Sequence, residues 1–141
     1  MSLLFLRHFI LQLAGNTAQF AADDYFDAVE VCKCPDDASR EVCSNLLKQS
    51  HLKVCCGAQP RLLGPKLNSN DLNEEGRAKA EATLIEAVDE AEQLGAKGIA
   101  FLSSKWKKEI QEESYQQLLK TTRAVCDYAK TKRLSPNAFL K

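Results

Sequence analysis

The chain has 141 residues, 45% hydrophobic and 27% charged, which suits one globular domain with an adequate core. Lysine plus arginine and aspartate plus glutamate each number 19, so the formal net charge is zero. That balance argues against a nucleic-acid partner and leaves little colloidal protection against self-association.

The six cysteines read as buried small hydrophobes in a reducing cytoplasm rather than as a disulfide framework, because Cys32, Cys34, Cys55 and Cys56 lie in or beside short apolar runs. At the start of the chain, Leu3-Leu-Phe-Leu6 and Phe9-Ile-Leu11 are apolar, but Arg7 and His8 interrupt them. A secretion signal places its positive charge ahead of the apolar run, and a membrane span needs about 20 apolar residues. The expectation is therefore a helix with Leu6, Phe9, Ile10 and Leu13 on its inner face, no membrane association and a cytoplasmic location.

Residues 26–32 contain two valines and an aromatic ring and stop at Pro35, which predicts a strand. Pro35-Asp36-Asp37 predicts a turn and a helix start, with Val42, Leu46 and Leu47 carrying that helix to about Gln49. Residues 52–56 predict a second strand, closed by Gly57. Residues 58–73, with Pro60 and Pro65, predict a long loop of the kind that is more often functional than idle. Asp71-x-x-Glu74 fits a capping box, and Asn73 fits the cap equally well.

The next helix carries an apolar stripe at Leu84, Ile85, Val88, Ala91 and Leu94, and stops at Gly95, where a positive φ is expected. The short run 98–102 predicts a third strand, buried on both faces. A last helix follows, with Tyr115, Leu118, Leu119, Thr122, Val125, Cys126 and Ala129 on one face. No element is evident in 133–141. Three strands, each followed by a helix, predict a parallel α/β sheet in a single domain spanning 1–141.

The order of Phe26-Asp-Ala-Val-Glu-Val31, Leu52-Lys-Val54, residues 68–77 and Ala87-x-x-Glu-Ala-x-x-Leu-Gly-Ala96 resembles the xylose-isomerase-like TIM-barrel superfamily, over about residues 20–132. That group contains sugar isomerases, ketose epimerases, inosose dehydratases and a DNA-repair endonuclease branch. The resemblance implies a partial (β/α) TIM barrel with about three to four parallel strands and flanking helices. Val125-Cys-Asp-Tyr-Ala-Lys130 resembles the helix before the family's fifth strand. Beyond it the tail 133–141 departs: Arg133 stands where the family has glycine, and Leu134-Ser-Pro-Asn137 replaces the strand that carries a metal-binding glutamate.

The implied activity is metal-assisted proton transfer on a ketose or aldose, with a sugar or sugar phosphate as ligand and Mn²⁺ or Mg²⁺ as the family's cation. No catalytic residue and no metal ligand carries over to this chain, which is expected to bind no cofactor. A full barrel takes about 250 residues, so the expectation is a shortened scaffold, inactive alone. The alternative is a non-catalytic interaction module that self-associates or pairs with a complementary half-barrel.

Four residues are candidate substrate contacts. Glu30 is a carboxylate near the C-terminal end of an otherwise apolar strand, where barrels place their chemistry. It is suited to a sugar hydroxyl or to a structural bond with a neighbouring strand. Gln59 and Arg61 follow the next strand; an arginine there is suited to clamping a phosphate or carboxylate, or to lying solvated on the loop. Trp106, after Ser103-Ser104-Lys105, is suited to stacking on a sugar ring or to anchoring its loop. Cys32-x-Cys34 and Cys55-Cys56 lack zinc spacing, and no Cys-x-x-Cys is present. His8 and His51 fit no catalytic arrangement, and no phosphate loop or serine-histidine pattern occurs.

Overall fold

A computed structural model describes residues 3–6, 22, 25–103, 107–132, 134 and 139–140. Its elements run β1 (Leu3–Leu6), β2 (Ala28–Val31), α1 (Asp37–Gln49), β3 (Lys53–Gly57), α2 (Gln59–Leu63), α3 (Glu74–Gln93), β4 (Ile99–Phe101), a 3₁₀ turn (Lys108–Ile110), α4 (Gln111–Thr131) and β5 (Phe139–Leu140). All strand pairs are parallel, in the order β1-β2-β3-β4-β5. Each strand lies beside its predecessor, as successive βα units require. The sheet is open, with β1 and β5 as its margins. This is the α/β, partial-barrel architecture expected from the sequence.

Both margins correct the reading of the chain's ends. Leu6 belongs to a strand, not a helix: Leu3–Leu6 pairs with Ala28–Val31 in register. Four consecutive apolar residues offer no polar face for a surface helix, whereas parallel strands accept such runs. Phe9, Ile10 and Leu13 lie outside the described residues. In the tail, Phe139 and Leu140 pair with Ala100 and Phe101.

The helices begin and end where local chemistry dictates. Asp36 caps α1, its carboxylate accepting from the Ser39 amide at 2.7 Å. The buried face of α1 is Cys43, Ser44 and Leu47, while Val42 is 46% exposed. Cys43 and Leu47 are one turn apart and set the stripe; Val42, a residue earlier, is rotated out of it.

Asn73 caps α3, accepting from the Glu75 and Gly76 amides. Asp71 is not the cap; it accepts from the Asn73 amide at 2.9 Å. Gly76 leaves room for that carboxylate, since a Cβ there would collide with Asp71. At the other end Gly95 adopts φ +69°. Its amide donates to Glu92 and that of Ala96 to Ala91, the double bond pattern that satisfies the last carbonyls of a helix. The expected stripe of α3 is buried at Leu84, Val88 and Ala91, and continues through Ala80 and Ala87.

The helix α4 is rotated from its predicted face. Ser114, Thr121, Val125 and Ala129 are buried, while Tyr115 is 52% exposed. One of the two buried polar residues, Thr121, is held there by hydrogen bonds to two other elements. The helix-side core joins Val29, Val31, Val54, Cys56, Ile99 and Phe101 of the sheet to Leu84, Ala87, Val88 and Ala91 of α3. Burial of that apolar surface is the main stabilising term of the fold.

Candidate functional site

The sheet has two faces, and the alternation of side chains assigns residues to them. The Cys56 thiol contacts the Ala87 carbonyl of α3 at 3.9 Å, so Cys56 faces the helices. Its register partner Val31, and the pair Val29–Val54, share that side. Glu30 and its partner Cys55 therefore face the other way, as do Gly57 and its partner Ala100.

Glu30 is 5% exposed. Its Oε1 accepts from the Gln59 carboxamide at 3.2 Å. Gly57 makes that meeting possible: a Cβ there would lie 2.7 Å from both Glu30 Oε1 and Gln59 Oε1. Two of the candidate contacts thus converge at the C-terminal ends of β2 and β3. Gln59 Oε1 is itself buried without a hydrogen-bond partner.

Arg61 goes elsewhere. The loop expected over 58–73 contains the one-turn helix α2, with Pro60 at its start. From it Arg61 reaches Glu90 of α3, forming an ion pair in which both side chains are almost fully buried. Glu90 also accepts from the Cys34 amide at 2.8 Å. Arg61 is therefore neither on a solvated loop nor paired with Glu30; its guanidinium is already matched to a carboxylate of this chain. Trp106 lies outside the described residues.

The sequence reading missed Glu90. Its signal was a carboxylate inside the apolar stripe, beside Ala91 and one turn after Ala87, which only a buried partner tolerates. A second buried relay was also unforeseen. Arg77, held by Glu74 and Glu81, donates to Thr121 at 3.0 Å. Thr121 donates to the Ser69 carbonyl at 2.8 Å, and the Ser69 hydroxyl to the Leu102 carbonyl at 3.0 Å. The relay ties α3, α4 and the loop before α3 to the end of β4, and it explains the buried Thr121.

The cysteines form no disulfide. Hydrogen bonding to Cys43, with burial, pushes the Cys34 thiol up, and burial pushes Cys56 up to about 12. Both therefore stay protonated at neutral pH and are poor nucleophiles. His51 lies at the opposite end of β3, its Nε2 donating to the Phe26 carbonyl at 2.9 Å. Among the described residues no group of three or more His, Cys, Asp or Glu side chains is placed to hold a metal ion. They do not fit the divalent cation implied by the resemblance. No helix of the described residues is long and apolar enough to cross a membrane.

A family model, described as a xylose isomerase-like TIM barrel, matches residues 18–135. The chain belongs to that family. In a xylose isomerase-like barrel, active residues gather at the C-terminal ends of the strands, which is where Glu30 and Gln59 meet. No curated protein matches the chain.

Proposed function

We propose that this barrel segment is a sugar isomerase- or epimerase-type scaffold that contributes substrate contacts through Glu30 and Gln59 and has no turnover alone. One observation carries the reading, beside the family match. A carboxylate and a carboxamide meet over Gly57 at the C-terminal ends of adjacent parallel strands, on the face away from the helices. Such a pair presents an acceptor and an amide to sugar hydroxyls. Proton transfer alpha to a sugar carbonyl also needs a positioned base and a polarising cation. The described residues offer no cradle for that cation.

The test uses the purified 141-residue chain, D-fructose and Mn²⁺ or Mg²⁺ in deuterated water. The expected result is no deuterium incorporation beside the carbonyl, together with sugar-dependent shifts of the Gln59 side-chain amide that Glu30→Gln abolishes. Incorporation above buffer overturns the inactivity, and an unmoved Gln59 overturns the contact.

The open sheet favours a second reading, a non-catalytic module that pairs through its margins β1 and β5.

A further inference from the structure

The apolar face of α4 is wider than the strip that the fold buries. Val125 and Ala129 are buried, whereas Tyr115 is 52% exposed and Leu119, Thr122 and Cys126 are only partly covered. Those four recur at alternating helical spacing, so they line one edge of the helix for about 17 Å. The helix α3 does not cover that edge. It meets α4 on the opposite side, through Glu74 to Lys120, Arg77 to Thr121 and Asp89 to Tyr128 and Lys132. Among the described elements α3 is the helix packed on α4. An apolar edge with this spacing is a seam along which a second helix packs.

Charge identifies the occupant. The helix opens on Glu112 and Glu113, and its second half carries Arg123 and Lys130, all exposed. Glu112 and Lys130 lie about five turns apart, on one flank of the apolar edge. A two-fold axis through the middle of that edge lays a second α4 antiparallel to the first and keeps each flank on its own side. Glu112 of each copy then faces Lys130 of the other. The same register sets Tyr115 against Cys126 and Leu119 against Thr122, so the edge fits its own reverse. A parallel pairing opposes like charges instead. Lys130 is bonded to Asp127 at 2.8 Å in an exposed pair of the kind that is weak and readily exchanged.

We propose that α4 is a self-docking surface, on which a second copy of this chain packs antiparallel about a two-fold axis beside Leu119 and Thr122. The seam is short and falls below the size of a stable interface, so the association is weak, with a Kd of about 10⁻⁴ M, and the chain is mainly monomeric at micromolar concentration. The surface belongs to the helix layer. It shares no residue with the Glu30–Gln59 pair and leaves the sheet margins β1 and β5 free, so it stands apart from both functional readings.

Sedimentation equilibrium of the full chain tests this. The expected result is mostly monomer at about 10 µM and mostly dimer at about 1 mM. Leu119→Glu, which sets a charge in the centre of the seam, is expected to weaken association at least about tenfold. Because Leu119 is partly buried, a second set of variants uses exposed positions alone. Glu112→Lys and Lys130→Glu each oppose like charges in the dimer and are expected to weaken it about three- to fivefold, while the two together restore the native affinity. A monomer's mass at about 1 mM, a dimer undiminished by Leu119→Glu, or a double charge swap no tighter than either single one each overturns the proposal.

Discussion

Glu90 governs more of this molecule than its place in a helix suggests. It neutralises Arg61, accepts from the Cys34 amide and is buried between the α2 segment and the exit of β2. Removing one member of a buried ion pair leaves the other charge unmatched in a poorly solvated place. Glu90→Ala is therefore expected to destabilise the chain by about 3 kcal/mol in urea denaturation. The double variant Arg61→Met/Glu90→Leu should recover most of that loss, because neither charge then remains buried. A double variant as unstable as Glu90→Ala would show that the Cys34 amide, not the ion pair, is what Glu90 serves.

The same residue shows what a sequence reveals and what it hides. Glu30 was visible as a carboxylate in an apolar strand, and Gln59 as a polar residue just past the next one. That Arg61 turns to Glu90 depends on the one-turn helix α2 and on a partner in a separate element. Local pattern cannot supply either.

At the scale of elements, strands and caps were legible because they obey short-range rules. Gly95 carries the positive φ its position demands, and the apolar runs that became Ala28–Val31, Lys53–Gly57 and Ile99–Phe101 are the strands expected. The facing of α4 was not legible, because apolar spacing alone would bury Tyr115. What turns the helix is a polar contact across three elements: Thr121 stands between Arg77 of α3 and the Ser69 carbonyl. Thr121→Val keeps the shape but takes its donor from the Ser69 carbonyl and one acceptor from Arg77, which keeps Glu74 and Glu81, and should lower stability by about 1–2 kcal/mol in denaturant titration.

The same α3–α4 clasp carries an acid limb. Bonds from Arg77 first, then Lys120, hold Glu74 down to about 2, against an ordinary value of 4.5. A carboxylate depressed on folding stabilises above its unfolded value and loses that contribution as the pH falls through its folded one. Melting temperature should therefore decline as pH falls from 4.5 toward about 2, and Glu74→Gln should flatten that part of the decline. An identical acid profile in the variant would assign the limb to other carboxylates.

At the scale of the whole molecule, the parallel sheet followed from three repeats of strand and helix, whereas its marginal strands did not. Leu3–Leu6 opens a longer, interrupted apolar stretch that reads as a helix, and Phe139–Leu140 has only two residues; pairing with a neighbour, not intrinsic pattern, makes them strands. An open sheet offers main-chain donors and acceptors at its margins. Sedimentation therefore discriminates between the two functional readings: the isomerase-type scaffold is expected to run as a monomer, while an obligate dimer favours the interaction module.

The unbroken order β1-β2-β3-β4-β5 also has a consequence for how the chain is made. A nascent polypeptide leaving the ribosome would find the berth for each new strand already built by the one before it. After β1, no strand must await a segment not yet translated, and no finished pair must be prised apart to admit a latecomer. Assembly can keep pace with translation, unit upon unit, from the amino terminus onward.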